Sequence, residues 1–179
     1  SQLMKHISFV SQDNFLFNIS IKENIRMGNP CATDEEVLAA AKAARCDEFI
    51  RKMEYGYDTL VGDAGGKLSG GERQRITIAR AMLKPADVVI LDEASAYADP
   101  ENEVHIEEAI NELVKDKTLI VVAHRLETIE NSDKIVVVDQ GKIVAEGTQS
   151  ELLKNCALYK RLWNETILTS ERKRGDCNA

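Results

Sequence analysis

The run Leu68-Ser69-Gly70-Gly71-Glu72-Arg73-Gln74-Arg75 puts a serine and two glycines at what reads as the start of a helix. Gly70 and Gly71 carry no side chain to keep a ligand off the backbone. The first N–H groups of a helix have no internal partner and lie at the positive end of its dipole, so the place suits an anion such as a phosphate. The Ser69 hydroxyl adds a donor. The same run, taken alone, also fits a glycine turn ahead of an amphipathic helix. A second group is Val88-Val89-Ile90-Leu91-Asp92-Glu93, an apolar run ending in two adjacent carboxylates. One acid there can hold Mg²⁺, directly or through water, and the other can orient and polarise an attacking water. Solvated acids at a strand end are the plainer alternative. The third is Ile120-Val121-Val122-Ala123-His124-Arg125, whose imidazole either donates to a phosphate oxygen or packs and caps locally. The fourth, Gln12, follows the first apolar run and has little specificity by itself.

These groups need a scaffold, and the surrounding pattern describes one. His6 to Val10 predicts a short strand ending at Ser11-Gln12-Asp13. Residues 14–83 read as helical. Thr33 with Glu36 forms a capping box before an alanine-rich helix with Val37, Ala40, Ala41 and Ala44 on one face. Asp47 opens a short helix with Phe49, Ile50 and Met53, broken by Tyr55-Gly56-Tyr57-Asp58. A loop with Gly62, Gly65 and Gly66 leads into the Ser69 helix, which ends near Pro85. From residue 86 strands and helices alternate. Val88 to Leu91 and Thr118 to Ala123 read as strands buried in a parallel sheet, the first on both faces. Its carboxyl edge is where α/β proteins bind ligands, which places Asp92, Glu93 and His124 together. Between the two strands, Asp99-Pro100 reads as a cap and first helical residue, with Ile106, Ala109, Ile110, Leu113 and Val114 as the buried stripe. A hairpin turns at Gln140-Gly141, and Thr148 with Glu151 caps a C-terminal helical region running past Trp163. The organisation is then 1–13, the end of a core strand with Gln12; 14–83, a helical block; 84–150, an α/β block with its boundary near Pro85; 151–168, C-terminal helices; and 169–179, a polar tail expected to fray.

Composition sets the outer limits. In 179 residues, 44% are hydrophobic and 30% charged, which excludes collagen-like, coiled-coil and wholly disordered chains. Against 23 Lys and Arg stand 30 Asp and Glu, a net charge of -7, which argues against a nucleic-acid partner. No apolar run approaches the roughly 18 residues of a membrane span, and no signal-peptide pattern opens the chain. The four cysteines are scattered without a C-x-x-C pair and read as reduced thiols. The three histidines are far apart and form no metal-ligand cluster. Ser1 is not a methionine, and the strand-like pattern is under way by Phe9, so the chain reads as a piece of a longer polypeptide.

Gln12, Ser69-Gly70-Gly71, Asp92-Glu93 and His124, in this order and spacing, resemble the nucleotide-binding domain of ABC transporters over nearly all of the chain. The resemblance implies an α/β fold: a partial P-loop NTPase (RecA-like) core with a parallel sheet and an inserted α-helical subdomain. It implies ATP and Mg²⁺ as cofactors and two cassettes head to tail. Gln12 is then the Q-loop glutamine, and Leu68, Ser69, Gly70, Gly71 and Glu72 are the signature motif acting on the partner's nucleotide. Asp92 is the Walker B aspartate, attending Mg²⁺ with Gln12 partly through water. Glu93 is the catalytic glutamate, Ala96 to Asp99 the D-loop, and His124 the switch histidine. The segments Phe9 to Phe17, Ile21 to Ile25 and Val61 to Gly65 are similar to exporter-type, multidrug-like cassettes. In such cassettes they face a membrane domain, with Phe15, Leu16 and Phe17 as docking surface; helical-subdomain core is the alternative for these three. The implied function is ATP hydrolysis in a homo- or heterodimer of cassettes, coupled to transmembrane transport, at the cytoplasmic face of the membrane. The membrane domain is expected to be fused upstream.

Three departures qualify this. No G-x-x-x-x-G-K-[ST] occurs, and it is expected upstream of Ser1. The 179 residues alone are therefore expected to bind ATP very weakly and not to hydrolyse it, and their buried strands to lack neighbours. The D-loop reads Ala96-Tyr97-Ala98-Asp99, without the usual serine hydroxyl, and the signature ends in Glu72 where glutamine is commonest. The competing readings are a soluble ABC ATPase not tied to transport and a non-catalytic fragment. Chromosome-maintenance ATPases carry long heptad inserts, and none lies between Gln12 and Leu68. Ribosome-acting cassettes carry Asn-His-Leu-Asp after the acids, which is absent.

Overall fold

The computed structural model describes residues 3–11, 13–92, 100–123 and 126–175. The chain forms two compact units, Ser1–Val122 and Ala123–Ala179. Pro85 lies inside the first.

In the first unit, β1 (Ile7–Val10), β2 (Val88–Asp92) and β3 (Thr118–Val122) make a parallel sheet in the order β1-β2-β3. Four helices separate β1 from β2: α1 (Ile21–Arg26), α2 (Asp34–Ala43), α3 (Asp47–Ile50) and α4 (Gly70–Leu83). One helix, α5 (Pro100–Val114), separates β2 from β3. The helix starts are set locally. Ser20 Oγ accepts from the Glu23 N–H at 3.2 Å. At α2 the Thr33 hydroxyl and the Glu36 carboxylate exchange bonds with each other's N–H groups, the capping box that their spacing predicts. Val37, Ala40, Ala41 and Ala44 are all buried, the predicted face. On α5, Ile106, Ala109 and Leu113 are buried and Ile110 and Val114 pack beside them.

One core cluster joins Val10, Val89 and Leu91 of the sheet to Ile76 and Ile78 of α4 and Ile106 of α5. Ser8 shares the inward face and donates to the Ala81 carbonyl of α4 at 3.2 Å. The opposite face is open, in line with the expectation that these strands lack neighbours. In β2 only alternate residues are buried, and in β3 Leu119, Ile120 and Val122 are 39%, 48% and 47% exposed. A strand is buried on both faces only between two layers. Among the described residues the sheet has one helical layer, and β3 is one of its two edge strands. Leu16 corrects the reading of an apolar Phe15-Leu16-Phe17 surface: it is fully buried in the core, whereas Phe15 and Phe17 are exposed and pack edge to face, centroids 5.0 Å apart. The short helix after Asp47 closes at Ile50, and Met53 lies in the turns beyond it.

The end of α1 sits directly on the end of α4. A Cβ added at Gly28 would fall on the Arg80 carbonyl oxygen, 3.0 Å from its carbon and 3.3 Å from Leu83 Cβ. A backbone carbonyl cannot rotate aside as a side chain can, so the two helices must separate. Gly28→Ala is expected to destabilise the protein by about 3 kcal/mol, read as a lower urea midpoint at unchanged slope. An unchanged midpoint would mean the helices are not in this contact.

In the second unit, β4 (Ile135–Asp139) and β5 (Lys142–Gly147) form the predicted hairpin, with Gln140 and Gly141 both left-handed at φ 48 and 75. Helices α6 (Gln149–Asn155) and α7 (Ala157–Gly175) follow. Thr148 and Glu151 form the predicted capping box, the Thr148 N–H reaching Glu151 Oε2 at 2.8 Å. That backbone bond, with the Thr148 hydroxyl, holds the Glu151 carboxyl below its usual range. Ile135, Val137, Leu152 and Tyr159 form the unit's core. The segment from Thr169, expected to fray, is helical through Gly175. Among the described residues, no helix is long and apolar enough to cross a membrane.

Candidate functional site

The start of α4 is closed on itself. Ser69 is extended, φ -66 and ψ 164, and caps the helix. Its Oγ accepts from the Glu72 N–H at 3.2 Å, and Glu72 Oε2 accepts from the Ser69 N–H at 2.8 Å. Arg73 folds back so that its Nη1 donates to the Leu68 carbonyl at 2.6 Å, and Leu68 is itself buried. Gly65 makes room for that arginine: its φ is +77, and a Cβ there would lie 2.8 Å from Arg73 Cδ. Further along the helix the buried Arg75 lies over the Phe49 ring, 5.1 Å from its centroid.

This bonding selects the donors. Ser69 and Glu72 spend their N–H groups on the cap. Those of Gly70 and Gly71 have no intramolecular acceptor among the described residues. Ser69 and Gly70 are exposed, and the Ser69 hydroxyl, acting as acceptor in the cap, keeps its hydrogen to donate. The start of α4 therefore presents the Gly70 N–H and the Ser69 O–H, with the N–H of the buried Gly71 unbonded behind them, at the positive end of a 14-residue helix. The part of Glu72 was missed in the sequence. By sequence it stands only as the end of the signature run; in the structure it is the far half of a cap, with the same spacing as Thr33 and Glu36.

Asp92 is the last residue of the middle strand β2. It is half-buried and level with Val122 of β3. Val10, the last residue of β1, is level with Leu91. Parallel strands in this register bring their three carboxyl ends to one edge of the sheet. Among the described residues no group of three His, Cys, Asp or Glu could hold a metal, so the described part of the site offers a divalent cation one carboxylate, Asp92. Gln12, Glu93, Ala96, Asp99 and His124 lie outside the described residues. In sequence, Gln12 follows the end of β1, Glu93 follows Asp92, and His124 follows the end of β3.

Comparison with known proteins shows the family of the chain. Residues 1–96 match the family model described as ABC transporter. An ABC transporter ATP-binding protein of Sinorhizobium fredii is 48% identical over 168 residues, 94% of this chain and 29% of that protein. A candidate multidrug export ATP-binding/permease protein of Staphylococcus aureus is 49% identical over 162 residues, 90% of this chain and 28% of that protein. The solved structure of a bacterial Atm1-family ABC exporter with ATP bound superimposes with a TM-score of 0.80 at 41% identity, over 90% of this chain and 28% of the exporter. The chain thus spans less than a third of the length of the relatives it matches. The mixed helix and strand architecture with its parallel sheet is consistent with a partial P-loop NTPase core. With the family model matched over more than half of its residues, the chain belongs to the ABC transporter family and to the exporter-type nucleotide-binding domains within it.

Proposed function

We propose that this chain works as part of the ATP-binding domain of an exporter, hydrolysing ATP between two cassettes to drive transport across a membrane. The observation that carries the reading is the start of α4, where the cap leaves the exposed Gly70 N–H and Ser69 hydroxyl free, with the unbonded N–H of the buried Gly71 behind them. A donor set without a counter-cation fits the γ-phosphate of a nucleotide held by the opposite cassette. Asp92 at the sheet edge is a hard oxygen ligand of the kind Mg²⁺ takes, with Gln12 as its neutral companion, partly through water. Mg²⁺, when bound, neutralises charge on the phosphates. Glu93 orients and polarises the attacking water, and His124 donates to the phosphate oxygen on which charge develops. Ala96 has no hydroxyl, so Asp99 and the Tyr97 phenol are the polar side chains the D-loop offers to the partner cassette. Phe15 and Phe17 give a membrane domain an exposed aromatic contact. The domain would then stand at the cytoplasmic face.

The test is MgATP hydrolysis by the protein made from its complete coding sequence and reconstituted in lipid nanodiscs, beside the purified 179 residues alone. The complete protein is expected to turn over about 1–10 ATP per second, and the isolated chain, with no phosphate-binding loop of its own, none above buffer. No turnover by the complete protein would overturn the ATPase reading.

A further inference from the structure

The mechanism leaves unused a buried polar junction between α1 and α4. Asn24 is fully buried and its amide is fully engaged. Nδ2 donates to the carbonyls of Phe17 at 2.9 Å and Ser20 at 3.1 Å, and Oδ1 accepts from the Phe17 N–H at 3.0 Å. The second acceptor position of Oδ1 is taken by Arg80 Nη2 at 3.1 Å. Arg80 further donates through Nε to the Asn24 carbonyl at 2.9 Å and through Nη1 to the Phe15 carbonyl at 3.3 Å. Two side chains thus hold the backbone of the 15–20 segment, which carries the exposed Phe15 and Phe17, against the helix that opens with Ser69-Gly70-Gly71. The close approach of Gly28 to the Arg80 carbonyl fastens the same two helices at the same residue.

The chemistry of the junction is costly for mere stability. Among the described residues Arg80 faces only carbonyl and amide oxygens, with no carboxylate, and burial alone pulls its pKa down. A half-buried cation without a counter-charge contributes little that an apolar side chain of similar volume would not. What the guanidinium fork supplies, and an apolar chain does not, is a fixed geometry between three acceptors. α4 is one uninterrupted helix, and Gly70 lies about 15 Å from Arg80 along its axis at 1.5 Å per residue. A displacement of the 15–20 backbone is therefore passed to the Ser69–Gly71 donors as a rigid-body movement.

We propose that Asn24 and Arg80 are positioning residues that join the 15–20 segment to α4 and so set where the signature donors stand. This rests on the reading of the α4 start as a nucleotide contact. The experiment uses the complete transporter in nanodiscs with MgATP as the probe. Arg80→Met keeps the volume and removes the fork. It is expected to fold as well as the parent by thermal melting, to raise KM for MgATP about fivefold, and to leave kcat per folded molecule within about twofold of the parent. Asn24→Ala should shift KM the same way, and the double variant should be no worse than the more severe single one. Arg80→Lys, with one point donor, should fall between Arg80→Met and the parent. An unchanged KM with kcat reduced in step with the folded fraction would make the junction structural only and overturn the proposal, as would failure of the Arg80 variants to fold. Gly70→Asp in parallel separates the two readings. If it leaves turnover intact, the nucleotide contact is wrong. If it abolishes turnover while Arg80→Met leaves KM alone, only the junction proposal falls.

Discussion

In the complete transporter, Glu93→Gln is expected to cut MgATP turnover by about 10²–10³-fold while nucleotide stays bound. The swap keeps the shape of the side chain and removes the only feature a base needs, the negative charge. Glu93 follows Asp92 directly, and Asp92 ends the middle strand at the edge where the three parallel strands finish. The proposed function gives cation binding to Asp92 and Gln12, so it should survive the change. Single-turnover kinetics with labelled ATP, followed by gel filtration to count nucleotide retained per dimer, separates the two effects. Hydrolysis at the parental rate would show that another group activates the water.

Gly70→Asp is expected to abolish turnover just as thoroughly, by about 10²-fold or more, without harming the fold. An acid in the first turn of a helix is favourable to its dipole, by a few tenths of a kcal/mol to about 1 kcal/mol. Position 70 is exposed, so the new side chain displaces no core packing. The same carboxylate would occupy the donors that the cap leaves free and repel an incoming phosphate. Melting temperature at or slightly above the parental value, together with lost hydrolysis, is the expected pair of results. Lost hydrolysis with a lowered melting temperature would mean the substitution damaged the helix, and the anion-binding role of this turn would lose its support.

The parts of the molecule that could be read from sequence are those decided within a few residues. The caps at Thr33 and Thr148 show in their spacing to Glu36 and Glu151, because donor and acceptor lie on the same turn. The Gln140-Gly141 hairpin is legible for the same reason. The signature run is contiguous, and Asp92 closes an apolar strand, so both could be placed. What failed depends on layers and distant partners. An unbroken apolar run such as Leu119 to Val122 looks alike whether one face or two are covered, so which residues are exposed shows only in the layering of the sheet. Phe15-Leu16-Phe17 has no periodicity, and only the core decides that Leu16 turns inward. Polar composition suggested fraying after Thr169, yet no Gly or Pro interrupts α7 before Gly175, and the helix runs on. Asn24 and Arg80 are 56 positions apart, so nothing local announces their junction.

The Ser69–Glu72 cap has a further consequence. Glycine pairs are the most freely moving part of an unfolded chain, and a loop built on them would ordinarily have to be ordered by its ligand. Here the two reciprocal bonds around Gly70 and Gly71, with Arg73 closed over Leu68, fix the turn within the chain itself. The conformational entropy of those glycines is lost when the domain folds and not when a phosphate arrives. The surface is preorganised, so on the proposed function the free energy of meeting a nucleotide would be left for bringing two cassettes together.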